Sequence, residues 1–125
     1  MTPPVTQRVL VVDDEKPVRD VLTKVLAQRG FAVTAVPSGT DALRELQSDR
    51  YSLMLLDIRM SPGPNGIDVL ARALDLDPDL RIIMLTGVSD LTTAARCMQL
   101  GARDFLTKPI DIKVLNGSID RTLKG

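Results

Sequence analysis

Apolar residues along the chain follow two different patterns, and the two patterns alternate. Short runs of consecutive apolar residues predict strands that are buried on both faces, because a strand with one solvated face would alternate apolar and polar residues. Longer segments with apolar residues three and four positions apart predict amphipathic helices. The apolar runs predict five strands, over residues 8–12, 31–36, 52–56, 81–85 and 104–107.

A helical segment follows each predicted strand, and the residues at its ends fit helix termini. Pro17 fits the first turn of the first helix and Ser38 the N-cap of the second. Gly30 and Gly101 fit the ends of the first and fourth helices. Cys97, beside the inward face of the fourth helix, is expected to be partly buried. The spacing predicts that this inward face is formed by Leu91, Ala94, Ala95 and Met98.

The last predicted helix contains one conflict. Its apolar positions, from Ile112 to Leu123, run straight through Asn116-Gly117, a dipeptide typical of turns. An interior glycine also costs about 1 kcal/mol relative to alanine. We nevertheless predict one continuous helix, with Asp111 as its N-cap, because the apolar spacing is unbroken.

Strands that alternate with helices predict an α/β domain with a parallel sheet that is covered by helices on both faces. A length of 125 residues fits a single domain. Strand–helix–strand crossovers are almost always right-handed. In such open sheets ligands bind beyond the carboxyl ends of the strands, where the strand order reverses. Functional residues are therefore expected just after the strands.

The composition excludes several classes of function. The chain has no His and a single Cys, so it cannot by itself build a disulfide framework, the usual zinc sites or a Ser-His-Asp triad. Its 16 basic and 16 acidic residues cancel, which gives no electrostatic basis for binding nucleic acid or an anionic membrane. No apolar stretch indicates a secretory signal or a membrane span, and we therefore expect a cytoplasmic protein.

Polar residues follow four of the five predicted strands. Asp13-Asp14 follow the first strand, Asp57 the third, Thr86 the fourth and Lys108 the fifth. Three carboxylates at one point repel one another, which raises at least one pKa unless a cation is present. Mg²⁺ prefers oxygen ligands, and the lysine supplies an ammonium group. Because an Asp carboxylate can accept a phosphoryl group, this set of residues predicts a phosphoryl-transfer site.

Short strings at these strand ends resemble the receiver domain of bacterial two-component response regulators, including the single-domain chemotaxis regulators. The strings are Val-Val-Asp13-Asp14-Glu15, Leu-Leu-Asp57-Ile-Arg-Met60, Leu-Thr86-Gly87 and Phe105-Leu-Thr-Lys108-Pro109. The resemblance covers residues 8–124 and leaves residues 1–7 as a flexible N-terminal tail. It implies a flavodoxin-like, doubly wound (βα)5 domain with strand order 2-1-3-4-5.

The resemblance implies that Asp57 is the phosphoacceptor of a Mg²⁺-dependent site. Asp14 and Asp57 would bind the metal directly, together with the backbone carbonyl of Arg59. Asp13 would bind the metal through water or help to place it. Lys108 would pair first with Asp57 and then with the phosphoryl group.

The remaining motif residues would complete the catalytic group and connect it to a switch. Thr86 would hydrogen-bond a phosphoryl oxygen, and Gly87 would leave the nucleophile open to the donor. Phe105 would rotate into the space behind Thr86, changing the face formed by helix 4, strand 5 and helix 5. The Lys108–Pro109 peptide bond is expected to be cis.

The resemblance also implies the partners of the domain. The phosphohistidine donor would belong to a sensor histidine kinase or a histidine phosphotransfer protein, which fits the absence of His from this chain. The receiver would catalyse its own phosphorylation and the hydrolysis of its aspartyl phosphate, without turnover of an external substrate. A homodimer through the switched face would be one form of output, with no direct contact to nucleic acid or membrane.

One position departs from the family pattern. Receiver domains usually have a Met-Pro pair, and a Gly eight residues after the phosphoacceptor. Here Ser61 separates Met60 from Pro62, and Gly66 lies nine residues after Asp57. This one-residue insertion is expected to affect the loop beside the metal site. Arg59 and Val88 occupy positions that tune the phosphoryl lifetime in the family, although each also fits an ordinary surface or loop role.

Two other functions compete with the phosphorylated receiver. A pseudo-receiver of the same fold would signal by protein interaction without phosphate. A small enzyme would need different motifs: the turn after strand 1 is not glycine-rich as in a dinucleotide-binding site, and Arg59 stands where a phosphatase has its second acid. The chain fits a whole single-domain regulator or the receiver of a longer protein, and the position of its end favours the longer protein.

Overall fold

The structure is a computed structural model, and it describes residues 6–60 and 63–124. Residues 1–5 of the predicted tail and the two loop residues Ser61 and Pro62 lie outside these ranges. The strands are β1 (Arg8–Val12), β2 (Ala32–Val36), β3 (Leu53–Asp57), β4 (Arg81–Thr86) and β5 (Asp104–Thr107). The α-helices are α1 (Lys16–Gln28), α2 (Gly39–Ser48), α3 (Gly66–Leu76), α4 (Leu91–Gln99) and α5 (Ile112–Lys124).

All strand pairs are parallel, and the strand order is β2-β1-β3-β4-β5. This confirms the predicted α/β fold and its strand order. The order reverses between β1 and β3, so the carboxyl ends of these two strands form the crevice where a ligand is expected. Within the described residues, no helix is both long and apolar enough to cross a membrane.

The core has one layer on each face of the sheet, because successive residues of a strand point to opposite faces. Leu10, Met54 and Ile82 pack against α2, α3 and α4 on one face. Their neighbours Val9 and Leu55 pack against α1 and α5 on the other face. Burying a side chain of this size contributes about 1.5–3 kcal/mol. The central strands β1, β3 and β4 are therefore fixed from both sides, and the polar residues after them have little freedom to move.

The helix ends follow the predicted signals. The hydroxyl of Ser38 accepts a hydrogen bond from the amide of Asp41 at 3.1 Å. Gly30 and Gly101 have φ values of +93° and +118°, a backbone region that favours glycine and that ends a helix. Asp111 Oδ1 accepts hydrogen bonds from the amides of the second and third residues of α5 at 2.8 and 3.2 Å.

Helix α5 is continuous through Asn116-Gly117, as predicted from its apolar spacing. The side chain of Asn116 does not form a turn: its Oδ1 accepts a hydrogen bond from Nη1 of Arg29 at 3.0 Å. Arg29 also forms an ion pair with Asp120. These contacts tie the end of α1 to α5, and they favour the helix over the local turn.

The predicted inward face of α4 is confirmed at Ala94 and is wrong for Leu91, Ala95 and Met98. The buried residues of α4 are Ala94 and Cys97, and Cys97 is fully buried rather than partly buried. Leu91 and Met98 are 44% and 37% exposed, and Ala95 is also exposed. The small side chains of Ala94 and Cys97 let the helix lie close to the sheet, so the helix is rotated away from the orientation that its larger apolar residues indicated.

Candidate functional site

The carboxyl ends of four strands bring the predicted polar residues to one edge of the sheet. Asp57 is the last residue of β3, which lies between β1 and β4. Asp13 and Asp14 directly follow β1, and Thr86 ends β4. Lys108 directly follows β5, and its amide donates a hydrogen bond to the carbonyl of Thr86 at 2.7 Å. Oxygen atoms of Asp13, Asp14 and Asp57 lie within 4.8 Å of one another.

Asp57 is only 5% exposed, and each of its carboxylate oxygens has a partner. Oδ1 accepts a hydrogen bond from the amide of Arg59 at 3.1 Å, and Oδ2 accepts one from Nζ of Lys108 at 3.2 Å. Burial and the nearby Asp13 carboxylate raise the pKa of Asp57 to about 6, and Lys108 and the Arg59 amide offset only part of this shift. The charge of Asp57 is therefore sensitive to any cation that enters the site.

Asp13 is fully buried beneath this group. Its Oδ1 accepts a hydrogen bond from the amide of Glu15 at 2.9 Å. Its Oδ2 lies 2.8 Å from Nζ of Lys108. This contact is an ion pair, and Oδ2 has no other polar partner within the described part of the chain. One buried carboxylate oxygen is thus left with a charge partner alone.

Lys108 is shared among the carboxylates of the site. Besides Asp13 and Asp57, its Nζ lies 3.5 Å from a carboxylate oxygen of Glu15. Burial disfavours the ammonium form, but the contacts with Asp13 and Asp57 outweigh burial and raise the pKa of Lys108. Lys108 is therefore a fixed positive charge at neutral pH.

The donor atoms of this site fit a divalent cation. Asp14 is exposed, so it can bind an ion that approaches from solvent while Asp13 and Asp57 lie below. The donors are all carboxylate oxygens, which suit a hard ion such as Mg²⁺. A cation here would also give Asp13 Oδ2 a second charge partner besides Lys108, and it would reduce the repulsion from Asp13 that, together with burial, raises the pKa of Asp57.

Thr86 and Phe105 lie on the same face of the sheet. Phe105 pairs in register with Met84, two residues before Thr86 on the neighbouring strand. Thr86 is fully buried, and its hydroxyl donates a hydrogen bond to the carbonyl of Gly87 at 3.0 Å. Phe105 is half-buried and packs against the core. The Lys108–Pro109 peptide bond, expected to be cis, is cis.

The sequence did not indicate the ion pair between Arg59 and Asp90. Nε of Arg59 lies 2.9 Å from the Asp90 carboxylate, and the two residues, together with Asp14, border an open groove of about 370 Å³. The Arg59 side chain is 74% exposed and that of Asp90 is 11% exposed. An Asp just before a helix is typical of an N-cap, yet this side chain makes no cap hydrogen bond and contacts the neighbouring loop instead.

Gly66 also contributes to the site, through a backbone contact with Asp57 and Ile58 that the sequence did not indicate. It is the first residue of α3, and its amide donates a hydrogen bond to the carbonyl of Ile58 at 2.8 Å. Its backbone lies directly against Asp57 and Ile58. Only the three-dimensional structure shows this contact, because the two segments are separated by a loop.

The fold and the acidic site together define a receiver-type signalling domain. The chain belongs to the response regulator receiver domain family, whose pattern matches residues 9–120. It is therefore a receiver domain with an acidic pocket formed by Asp13, Asp14 and Asp57 beside Lys108.

Several curated proteins are similar to this chain. The C4-dicarboxylate transport transcriptional regulatory protein DctD of Rhizobium meliloti is 39% identical over 101 residues, which cover 81% of this chain and 22% of DctD. The DNA-binding response regulator MtrA of Mycobacterium tuberculosis is 39% identical over 118 residues, which cover 94% of this chain and 51% of MtrA. The chain thus spans between about a fifth and about half of these relatives.

Solved structures of receiver proteins superpose closely on this fold. A CheY-like response regulator receiver domain protein from Methanospirillum hungatei has a TM-score of 0.90 and 27% identity, and the match covers 96% of this chain and 95% of that protein. NtrX from Brucella abortus has a TM-score of 0.91 and 27% identity, and the match covers 96% of this chain and 27% of NtrX.

Proposed function

We propose that this chain, in the cytoplasm, accepts a phosphoryl group on Asp57 from a phosphohistidine of a sensor histidine kinase or a histidine phosphotransfer protein. One observation carries this proposal: the buried carboxylate of Asp57 lies 3.2 Å from a fixed ammonium and within 4.8 Å of two further carboxylates. The three carboxylates carry more negative charge than one ammonium balances, so the site favours binding of a further cation. Phosphoryl transfer requires such cations, because they stabilise the charge on the transferred oxygens.

Mg²⁺ is the proposed cofactor. Asp14, Asp57 and the backbone carbonyl of Arg59 would hold it, with Asp13 assisting through water. When bound, the ion neutralises charge on the transferred oxygens. Membership of the receiver family and the three carboxylates support this assignment.

The side chains of this protein supply the remaining chemistry. A carboxylate oxygen of Asp57 attacks phosphorus, an O–P bond forms, and the P–N bond to the partner's imidazole breaks. Lys108 stays beside the transferred group as its counter-charge. The Thr86 hydroxyl leaves the carbonyl of Gly87, its present partner, and donates to a phosphoryl oxygen. Attack of water on phosphorus later releases phosphate and restores the carboxylate.

Phosphorylation would change the surface formed by helix α4, strand β5 and helix α5, and this surface would contact the next protein. Movement of Thr86 opens space on the face that it shares with Phe105, and rotation of Phe105 into that space changes the outer surface. The exposed Leu91 and Met98 of α4 and Val114 of α5 give this surface apolar contact area. A second copy of the chain is one proposed occupant.

The test is phosphorylation by a small donor. Incubation with acetyl phosphate and Mg²⁺ should give a single phosphoryl adduct in the intact mass, and Asp57→Asn should abolish it. Asp75→Asn, on the exposed side of α3, is the matched control and should leave the adduct unchanged. Absence of an adduct, together with no response to a beryllofluoride mimic, would contradict the proposal and favour the pseudo-receiver. Rapid turnover of an unrelated phosphoester would favour an enzyme.

A further inference from the structure

We propose that Gly66 is a positioning residue for the phosphoacceptor segment, residues 57–59. A Cβ atom on Gly66 would lie 2.4 Å from the carbonyl oxygen of Asp57 and 2.6 Å from Cα of Ile58. Both distances are shorter than a Cβ atom tolerates, and both neighbours are backbone atoms that no side-chain rotation can remove. Any larger residue at this position must therefore displace the end of β3 or the start of α3.

The same contact is reinforced by hydrogen bonds. The amide of Gly66 donates to the carbonyl of Ile58 at 2.8 Å, and the amide of Ile58 donates to the carbonyl of Leu85 at 3.0 Å. The backbone at Ile58 is thus held between β4 and the first turn of α3. Because this backbone continues directly to Arg59, its position also sets that of the following peptide.

The held segment carries the groups on which the proposed function rests. The amide of Arg59 donates to Oδ1 of Asp57, so a shift of this backbone turns the phosphoacceptor carboxylate. The carbonyl of Arg59 is a proposed Mg²⁺ ligand, and it would move with the same segment. Gly66 is not among the residues that would hold the metal or the phosphoryl group, and it acts through the backbone of residues that would.

Gly39 provides a matched control within the same chain. It is the first residue of α2, as Gly66 is the first residue of α3. A Cβ atom on Gly39 would lie 2.5 Å from Cγ2 of Val69 and 2.9 Å from the carbonyl oxygen of Pro64. Gly39→Ala therefore introduces a comparable clash, with α3 at Val69 and with the loop before α3 at Pro64, but the atoms nearest to its Cβ do not belong to Asp57, Ile58 or Arg59.

The experiment compares Gly66→Ala, Gly39→Ala and the wild type in a Mg²⁺ titration, followed by ¹H–¹⁵N NMR of the folded protein. Gly66→Ala should weaken Mg²⁺ binding by about 10-fold or more, the range found for residues that hold metal ligands in place. It should also slow phosphorylation by acetyl phosphate. Gly39→Ala should lose stability but keep its Mg²⁺ affinity within about twofold of the wild type. A folded Gly66→Ala protein with wild-type Mg²⁺ affinity would overturn the inference.

A measurement on the wild type covers the case in which Gly66→Ala does not fold. Addition of Mg²⁺ should shift the amide resonance of Gly66 together with those of Ile58 and Arg59, and leave that of Gly39 in place. An unchanged Gly66 resonance, with shifts at Asp57 and Arg59, would overturn the inference and leave the proposed function intact. No response of Asp57 to Mg²⁺ would overturn the proposed function itself, and this inference with it.

Discussion

Nζ of Lys108 lies 2.8 Å from Oδ2 of Asp13 and thus nearer to it than to Oδ2 of Asp57, at 3.2 Å. The lysine therefore balances the fully buried carboxylate of Asp13 as well as the carboxylate of Asp57, the proposed phosphoacceptor. Its charge stabilises the fold in addition to its proposed part in phosphoryl transfer. The two functions can be separated by experiment because only one of them requires a phosphoryl donor.

Replacement of Lys108 by Met should destabilise the metal-free protein. Two buried carboxylates would lose their shared cation, and removal of one partner from a buried ion pair leaves an uncompensated charge. We expect the free energy of unfolding at pH 7.5 to fall by about 3 kcal/mol, and Mg²⁺ to restore part of the loss. Urea unfolding with and without Mg²⁺ measures both values. Lys124→Met, at the exposed end of α5, should have no such effect, and an equal loss there would contradict the explanation.

Replacement of Asp57 by Asn should stabilise the protein in the absence of divalent cations. The pKa of Asp57 is raised from 3.8 to about 6, so the folded state binds a proton more tightly than the unfolded state. The stability from this proton is present below about pH 4 and is lost as the pH rises through 6. Relative to the wild type, the variant should gain about 1–2 kcal/mol between pH 4 and pH 7.5.

Unfolding of both proteins in EDTA across this pH range measures the gain. Above pH 7 the difference should be constant, because Asn does not titrate and Asp57 is then ionised in both states. Mg²⁺ should reverse the order of stability, since the cation stabilises the ionised wild type. A stability difference that does not change with pH would show that Asp57 titrates in its ordinary range.

The ion pair between Arg59 and Asp90 should couple two loops weakly. Arg59 follows β3 and Asp90 precedes α4, and the arginine is well exposed. A double-mutant cycle with Arg59→Met and Asp90→Asn should give a coupling energy of about 0.5 kcal/mol that decreases at high salt. Hydrogen exchange of the amides in Val88–Asp90 should become faster in Asp90→Asn. Unchanged exchange there would mean that the pair does not restrain this segment.

Cys97 should be unreactive in the folded protein. It is fully buried among apolar residues, and burial raises the pKa of its thiol, so little thiolate is accessible at pH 7.5. A disulfide reagent should label the native protein slowly and the urea-unfolded protein at once. Because the chain has a single Cys, the signal has one source. Fast labelling under native conditions would indicate that α4 opens readily.

Much of the site could be predicted because it depends on where strands end. The predicted strand 8–12 ends directly before Asp13, and the predicted strand 52–56 ends directly before Asp57. The ends of these strands therefore give the positions of both carboxylates. Parallel topology then brings these ends together without any knowledge of side-chain contacts. The sequence was sufficient here because a short apolar run must be buried on both faces, as a central strand of a parallel sheet is.

The sequence could not predict contacts between segments whose relative position depends on packing. Asp90 has the sequence context of a helix cap, and only the position of the preceding loop brings Arg59 within 2.9 Å of it. Gly66 has the context of a flexible loop residue, and its contact with Asp57 appears only when α3 is placed against β3. For α4, apolar residues occur on more than one side of a short helix, so the spacing did not determine which side faces the sheet.

Helix α4 therefore has two apolar stripes, one of small residues against the sheet and one of larger residues towards solvent. Successive residues of a helix are about 100° apart around its axis, so Leu91 and Ala94, three residues apart, lie only about 60° from each other. Rotation of the helix about its own axis would bring the larger side chains of Leu91 and Met98 against the sheet in place of Ala94 and Cys97, and α4 would then have to move away from the sheet. The close fit of two small buried residues therefore sets the orientation of α4, and it leaves Leu91 and Met98 as an apolar stripe on the outer surface.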